Sequence, residues 1–313
     1  MICLGIDTSN YTTSAALYGE GLLKQEKTPL AVPRGSIGLR QSDAVFEHIK
    51  NLPATIDRLF MDTPPKIDAV GVSVSPRELA GSYMPCFLAG FSHASVLSSS
   101  MGIRLFTFSH QQGHVCAGAL TAGALPMLRS PFLAFHVSGG TTELLLVRPH
   151  QEKIISCKRI GGSTDLSAGQ LVDRCGRLLG LDFPSGPGLD ALAAEIQDGE
   201  YFKARLCGLE FSLSGIENKF KDLFSGGKSA RRIAYFTLRS IAEAVKDAVI
   251  LAKTEYGGLP VLCVGGVMCS GVVRRAMSDV EGVFFTDAAL SSDNAAGVAA
   301  LAYFSMSGGS DAG

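Results

Sequence analysis

The segment PFLAFHVSGGTTELLLV, residues 131–147, contains two apolar runs separated by a short turn. The first run, Phe132 to Val137, meets a turn at residues 138–141, and the second run, Leu144 to Val147, leaves it. Apolar runs that flank a glycine turn are typical of two paired β-strands. Because glycines leave backbone N–H groups uncovered, this turn is a candidate site for an anion such as a phosphate.

The N-terminus repeats this pattern. The apolar stretch Ile2 to Ile6 leads into a turn that begins at Asp7, and a second strand-like stretch follows from Thr13 to Tyr18. Two such hairpins indicate that the chain has two similar halves. Asp7 lies at the end of a predicted strand beside small residues, where a carboxylate could hold a cation or a water that faces bound phosphates. The alternative is an aspartate that only shapes the turn.

Hydrophobic periodicity predicts the same order of elements in both halves: three strands, and then helices that alternate with strands. In the first half the predicted elements are three strands within 2–27, a helix at 43–60, a strand at 67–74, a helix at 83–101, a strand at 104–108 and a helix at 109–122. In the second half they are strands near 132–137, 142–148 and 153–159, helices at 166–180, 187–198 and 230–255, a strand at 261–264, a helix at 269–277, a strand at 282–285 and a helix at 292–306.

This order predicts an α/β protein with a duplicated ribonuclease-H-like fold, the architecture of the actin-like ATPase and sugar kinase superfamily. We expect an N-terminal ribonuclease-H-like lobe at residues 1–125 and a C-terminal lobe at 126–313, with an insertion at about 199–229. The ligand is expected in the cleft between the lobes, and the last helix is expected to pack back near that interlobe cleft. Fold alone does not set the function.

The composition favours a globular protein without a membrane span. Hydrophobic residues make up 46% of the chain, but no run of about 18 uncharged apolar residues occurs. The eight cysteines form no Cys-x-x-Cys pair, which favours reduced thiols and a cytoplasmic location. A formal net charge of −1 and a pI near 6.6 are unlike those of a stand-alone nucleic-acid-binding protein, which usually has a basic excess.

Two histidines lie four residues apart at the start of a predicted helix. His110 and His114 would lie on one face of that helix, close enough to bind one metal ion. A metal site needs further ligands, and Asp293, at the start of the last predicted helix, is a candidate. The alternatives are an ordinary pair of surface or core histidines and an aspartate that stabilises a helix N-terminus.

Two further stretches combine glycines with polar residues. In VLCVGGVMCSG, residues 261–271, Gly265 and Gly266 join a strand to a helix and would let a nucleoside or a phosphate approach the backbone closely. The segment GGSTDLSAGQLVDRCGRLLGLDFPSGPG, residues 161–188, contains Asp173 within a predicted helix. The side chain of Asp173 either faces solvent or reaches into the cleft.

Together these motifs resemble the TsaD family, the bacterial tRNA adenosine threonylcarbamoyltransferases once named O-sialoglycoprotein endopeptidases, over nearly the whole chain. The run HQQGH, which contains His110 and His114, matches the family's metal histidines. The run SDNAA at 292–296 matches the segment whose aspartate, here Asp293, is the family's third ligand. The run FSLSG at 211–215 is similar to the family's FSFSG.

The resemblance also implies nucleotide-binding residues. VSGGTT is similar to the family's VSGGHT phosphate loop, and VGGVMCS matches its AGGVxxN. GQLVDRCGRLLGLDFPSGP resembles the segment in which an aspartate and a glycine contact the nucleotide. The positions implied to bind the nucleotide are Val137, Ser138, Gly139, Gly140, Thr141, Asp173, Gly186, Gly265, Gly266 and Ser270.

The chain departs from the family pattern in four places. Residues 9–13 read SNYTT where the family has Ser-Cys-Asp-Glu-Thr, so two acids that face the cleft are absent. Thr141 replaces the histidine of the phosphate loop, and Ser270 replaces the asparagine of the glycine turn. A stretch that is rich in glycine and proline in the family reads SPRELAGSYM here, residues 75–84. The metal and nucleotide positions are kept, whereas the acceptor side differs.

The resemblance implies transfer of the threonylcarbamoyl group from threonylcarbamoyl-adenylate to the N6 amine of a tRNA adenine next to the anticodon, with release of AMP. One divalent metal ion, iron or zinc, would polarise the carbamoyl carbonyl or orient the phosphate of the adenylate. Asp7 is the candidate catalytic carboxylate, and no general base is identified, because Tyr11 and Thr12 replace the family's acids. The implied partners are tRNA, a TsaB-like paralogue and an accessory ATPase. No association with a membrane is expected.

Two other functions remain open. A small-molecule carbamoyl or phosphoryl transferase on the same scaffold fits the near-neutral charge, because a tRNA-binding surface should gather basic residues. A non-catalytic nucleotide-binding partner subunit would bind nucleotide and metal only to stabilise its own fold. The best candidate for a tRNA contact is a basic cluster, whose alternative is a solvated face. This cluster comprises Lys219, Lys221, Lys228, Arg231, Arg232 and Arg239.

Overall fold

The computed structural model describes residues 1–9, 11–31, 39–61, 65–286 and 294–308. The chain divides into two compact units. The first comprises Met1–Ser130, Arg148–Cys157 and Ser292–Gly313, and the second comprises Pro131–Val147 and Lys158–Ser291. Each unit has a buried apolar core packed around a β-sheet.

The first unit is built on a mixed sheet. Its strands are β1 Cys3–Asp7, β2 Thr12–Gly19, β3 Leu22–Pro29, β4 Ala69–Ser75 and β5 Arg104–Ser109. They lie in the order β3-β2-β1-β4-β5, with β1 antiparallel to β2 and parallel to β4. The helices of this part of the chain are α1 Gln41–Leu59, α2 Phe87–Met101 and α3 His110–Thr121, followed by a 3₁₀ helix at Leu125–Arg129.

The second unit repeats this plan. The strands of its sheet are β6 Phe132–Val137, β7 Thr142–His150, β8 Ile154–Ser163, β9 Leu206–Cys207, β10 Glu210–Phe211, β11 Val261–Val264 and β12 Val283–Phe285. They lie in the order β12-β11-β6-β7-β8-β10-β9. The end of β7 and the start of β8 lie within Arg148–Cys157, which is assigned to the first unit. The helices are α4 Ala168–Leu178, α5 Gly186–Ala193, α6 Ser214–Ser225, α7 Ala230–Glu255 and α8 Gly271–Ala276, with a 3₁₀ helix at Gly266–Cys269.

The strand orders confirm the predicted duplication. In both sheets the first strand of the unit is an inner strand, antiparallel to the second strand and parallel to the strand that follows the first helices. The order β8-β7-β6-β11-β12 of the second sheet thus repeats the order β3-β2-β1-β4-β5 of the first. The expected insertion at 199–229 contains the small hairpin of β9 and β10, which extends the second sheet, and helix α6.

The last helix, α9 Ala295–Met306, belongs to the first unit, whereas we expected a C-terminal lobe that runs from 126 to 313. Glycines explain this placement. A side chain at Gly5 of β1 would lie 2.2 Å from the carbonyl oxygen of Ala295, and one at Gly297 would lie 2.0 Å from that of Gly113 in α3. Because these positions lack side chains, an alanine-rich helix can pack directly on the backbone of the first sheet and of α3.

Helix α2 begins at Phe87, whereas the periodicity predicts a start at Tyr83. Pro85 gives the physical reason, because a proline disfavours helical geometry at the residue before it. Residues 76–86 are therefore a loop between β4 and α2. Among the described helices, none is both long and apolar enough to cross a membrane.

Candidate functional site

The carboxylate of Asp7 is buried at the end of β1, with 1% of its surface exposed. Its Oδ2 atom accepts a hydrogen bond from Ser73 Oγ at 2.5 Å and lies 2.9 Å from Nδ1 of His110. Its Oδ1 atom accepts a hydrogen bond from the backbone N–H of Ser9 at 2.9 Å. Both oxygens are thus engaged by the protein, and one of them contacts His110.

Asp7 is ionised in this environment. Burial alone would raise the pKa of its carboxyl group, but the charge of His110 and the hydrogen bonds from His110, Ser73 and Ser9 outweigh burial and lower the pKa to about 2. A carboxylate can only accept hydrogen bonds, so Nδ1 of His110 carries the proton that lies between the two residues. In the neutral ring, the second nitrogen of His110, Nε2, then has the lone pair.

His110 and His114 lie on one face of α3, as their spacing predicts. Their ring centroids are 4.6 Å apart. Ser109 caps the helix, because its hydroxyl accepts a hydrogen bond from the N–H of Gln112 while the Gln112 side chain accepts one from the N–H of Ser109. This capping box fixes the first turn of α3 and hence the direction of both imidazoles.

Asn294 lies beside His110 and was not singled out from the sequence. Its Nδ2 atom is 2.7 Å from Nδ1 and 3.1 Å from Nε2 of His110, across a sequence separation of 184 residues. Asn294 is buried, and within the described part of the chain its Oδ1 atom has no hydrogen-bond partner.

The predicted third metal ligand, Asp293, lies outside the described residues. Among the residues that are described, no three His, Cys, Asp or Glu side chains are grouped so that they could hold a metal ion. The two imidazoles nevertheless fit part of such a site, because a histidine that binds a metal usually donates its other N–H to a carboxylate, as His110 does to Asp7.

A fully buried histidine, His48, was also missed. It lies on α1, and its Nδ1 atom is 2.8 Å from the hydroxyl of Thr13 on β2. Burial lowers the pKa of His48 to about 4, against the opposing effect of the Asp7 carboxylate. In the sequence, His48 is recognisable as a polar residue on the same face of the predicted helix as Ala44 and Leu52, which are both buried.

In the second unit, a backbone hydrogen bond closes the predicted phosphate turn at 138–141, and the glycines of the turn are open to a ligand. The N–H of Ser138 donates to the carbonyl of Thr141 at 2.8 Å, which closes the turn. A side chain at Gly139 or Gly140 would meet nothing within 4 Å. On the other side, α4 supports the turn, because a side chain at Gly169 would lie 2.5 Å from Cα of Gly139.

The second glycine turn lies against the first. Gly265 has a φ of 100°, and a side chain there would lie 2.3 Å from the carbonyl oxygen of Val137. Its neighbour Gly266 meets nothing within 4 Å. The hydroxyl of Ser270 caps α8 and donates a hydrogen bond of 2.5 Å to Asp190. Asp190 was not predicted, although it lies four residues after Gly186 on α5.

Asp173 is partly buried and supports the loop that precedes α5. Its Oδ1 atom accepts a hydrogen bond from the N–H of Ser185 at 2.9 Å, next to Gly186. Burial raises the pKa of Asp173 against this hydrogen bond. A side chain at Gly186 would come no closer than 4.0 Å to another group, so this position is also open.

The basic cluster is largely neutralised. Five of its six cations form ion pairs with acidic side chains. The pairs are Lys219 with Asp222, Lys221 with Glu217, Lys228 with Glu200, Arg231 with Glu195, and Arg239 with Glu243. This arrangement favours the solvated face over a phosphate-binding surface.

Residues 35–300 match the model of the TsaD family, described as tRNA N6-adenosine threonylcarbamoyltransferase. The chain is 32% identical to the protein of that name from Sulfurihydrogenibium sp., with 97% of this chain and 90% of the relative aligned. It is 31% identical to the protein of that name from Moorella thermoacetica, with 96% and 91% aligned.

Solved structures of other proteins share the fold. HypF from T. kodakarensis superposes with a TM-score of 0.63 at 12% identity, over 98% of this chain and 48% of that chain. A ROK family glucokinase from Streptomyces griseus superposes with a TM-score of 0.55 at 13% identity, over 97% and 99%. Together with the strand orders, these likenesses confirm the predicted actin-like ATPase and sugar kinase fold.

Proposed function

Because the chain belongs to the TsaD family, we propose that it transfers the threonylcarbamoyl group from threonylcarbamoyl-adenylate to the N6 amine of a tRNA adenine. The acceptor adenine lies next to the anticodon. The amine attacks the carbamoyl carbonyl and releases one proton, the bond from that carbonyl to the phosphate oxygen breaks, and AMP leaves.

One observation carries the nucleotide part of this proposal. Two glycine turns, at 138–140 and 265–266, follow β6 and β11, which are paired and parallel. Three of their glycines face open space, and Gly265 touches the end of β6 at Val137. Backbone N–H groups at the ends of parallel strands are the usual contacts of nucleotide phosphates. Asp173 and Gly186 are proposed to contact the rest of the adenylate.

We assign the metal to His110, His114 and Asp293. When bound, an iron or zinc ion would supply a Lewis acid for the carbamoyl carbonyl or the phosphate. The described residues orient His110. The Asp7 carboxylate accepts a hydrogen bond from the Nδ1–H of His110, and the Ser73 hydroxyl donates a hydrogen bond to the same carboxylate. Asp7 is therefore a positioning residue in this proposal.

Partner proteins complete the proposal. Large apolar side chains are exposed on α1 and α2, and they suit a protein that docks helix to helix, such as a TsaB-like paralogue. They include Phe46, Ile49, Leu88, Phe91 and Val96. An accessory ATPase and a cytoplasmic location follow from the same assignment.

Reconstitution tests the function. The full chain, a TsaB-like partner and the ATPase are incubated with an unmodified tRNA and with threonylcarbamoyl-adenylate that is made enzymatically from labelled threonine. We expect label on the tRNA and one AMP per transfer, with no label when this chain is omitted. Transfer that does not need this chain would contradict the proposal.

A small-molecule carbamoyl transferase is the second candidate. The ion pairing of the basic cluster favours it, because those cations are then less available to phosphates of a tRNA. The same reaction with a panel of free amines and alcohols separates the two candidates. AMP release that depends on a small acceptor and not on tRNA would support the second one. Binding of nucleotide without any transfer would support the non-catalytic subunit.

A further inference from the structure

The 76–86 loop, residues 76–86 between β4 and α2, lies against the start of α3. The carbonyl of Pro76 accepts a hydrogen bond from the N–H of Gln111 at 3.1 Å, one residue after His110. Just beyond the other end of the loop, the ring of Phe87 lies 6.0 Å from that of His110, centroid to centroid. Both ends of the loop are therefore held beside His110.

The turn that follows β1 lies against the same loop. The hydroxyl of Thr8, the residue after Asp7, donates a hydrogen bond of 3.0 Å to the carbonyl of Cys86. Tyr11 lies at the end of this turn and is 41% exposed. A buried hydrogen bond thus joins the segment after β1 to the end of the 76–86 loop.

Both segments present large side chains to solvent. In the 76–86 loop, Tyr83 is 62% exposed and Leu79 is 70% exposed. The loop is ordered by its own hydrogen bonds, because the N–H of Ser82 donates to the carbonyl of Leu79 at 2.9 Å and its hydroxyl accepts from the N–H of Arg77 at 3.1 Å. A loop that is already ordered loses little entropy when its exposed aromatic ring binds a ligand.

The charges of the loop suit a polyanion. Its one acidic residue, Glu78, accepts a hydrogen bond from the N–H of Cys157 at 2.8 Å and lies 3.6 Å from Nζ of Lys153. Its side chain is only 16% exposed, whereas Arg77 is exposed. The exposed side chains of the loop therefore include an arginine, a leucine and a tyrosine.

We propose that Tyr83 and Tyr11 stack on unpaired bases of the acceptor RNA near the adenine that reacts, and that Arg77 lies near the phosphates. The inference rests on the proposed function, which brings the anticodon loop to the His110 site. Unpaired bases in RNA loops are commonly recognised by stacking on aromatic side chains and arginine. Both tyrosines lie in stretches where this chain departs from the family pattern, so the contact would be specific to this chain and would not be shared by the whole family.

Two measurements test the stacking with the full chain. The first is the KM for unmodified tRNA at saturating adenylate and partners. The second is direct binding of a fluorescent anticodon stem-loop RNA to the chain with its partners. The variants are Tyr83→Ala, Tyr11→Ala, and Tyr83→Phe, which keeps the ring. Phe224→Ala removes an aromatic residue with 46% exposure from the end of α6 and serves as the matched control.

We expect each alanine variant to raise the KM and weaken stem-loop binding by about tenfold, with little change in kcat, since one base stack is lost. Tyr83→Phe and Phe224→Ala should match the unsubstituted protein. Unchanged binding and KM in both alanine variants would overturn the inference. An effect of Tyr83→Ala that vanishes at saturating partner protein would also overturn it and identify a protein-docking loop. If the unsubstituted protein transfers nothing, the proposed function fails, while the stem-loop measurement still decides the inference.

Discussion

The Nδ1 atom of His110 lies 2.9 Å from Oδ2 of Asp7, and the two residues are 103 positions apart in the chain. Ser73 donates its hydroxyl hydrogen to the same carboxylate oxygen. These three side chains come from α3, β1 and β4 of one unit. The contact places the proton that lies between the two residues on Nδ1 of His110.

Replacing Asp7 by Asn should impair the site through His110. An amide can donate to Nδ1 as well as accept from it, so the protonation of the ring is no longer fixed. We expect a loss of about 10- to 100-fold in metal affinity and in kcat, and a smaller loss for Ser73→Ala. Metal titration and the transfer assay measure the two effects. Asp222→Asn, at an exposed position on α6, is the control. Wild-type metal affinity in Asp7→Asn would show that this contact does not orient His110.

Metal content provides an independent test of the histidine pair. Protein purified without added metal should contain iron or zinc by elemental analysis, and His110→Ala and His114→Ala should each lower the content more than tenfold. His150→Ala changes an exposed histidine on β7 and should leave the content unchanged. If both site variants keep their metal and their full transfer activity, the metal assignment is wrong.

His48 should make the protein less stable at mildly acidic pH. Burial holds the pKa of His48 near 4, against an ordinary value of 6.5, so the unfolded chain binds a proton in this window that the folded chain does not. The free energy of unfolding therefore falls as the pH falls from 6.5 towards 4, by roughly 3 kcal/mol. Denaturant unfolding at pH 7 and pH 4.5 measures this difference.

The variant His48→Gln removes the titrating group and should flatten that part of the stability curve. His150→Gln, at the exposed end of β7, should keep the original slope. A His48→Gln protein whose stability falls with acid as steeply as that of the unsubstituted protein would assign the slope to other groups.

The neighbouring glycines 265 and 266 should respond differently to alanine. Gly265 has a positive φ, and its new side chain would meet the carbonyl of Val137, so Gly265→Ala should lower the free energy of unfolding by about 1–3 kcal/mol and abolish adenylate binding. Gly266→Ala meets no protein atom within 4 Å, so it should fold normally and bind adenylate more weakly.

Thermal unfolding and calorimetric titration with a non-hydrolysable adenylate analogue separate the two roles. Equal destabilisation by both alanines would contradict the difference between the crowded position Gly265 and the open position Gly266. Normal adenylate affinity in Gly266→Ala would place the nucleotide elsewhere.

Local sequence patterns predicted much of the molecule correctly. The duplicated order of strands and helices, the capped start of α3 and the common face of His110 and His114 all follow from periodicity and capping over short stretches. The two glycine turns were also recognised, because each lies where an apolar strand ends. These features depend on neighbours within a few residues.

The sequence by itself therefore determined the elements, their order and the two turns that are open to a ligand. Tertiary structure alone decided that Ser73, Asp7 and Asn294 surround His110, that Asp190 holds Ser270, and that α9 packs on the first sheet. The reason is physical: side-chain periodicity is a local property of the backbone. Contacts between distant residues are set instead by strand register and by the close approach that glycines such as Gly5 permit.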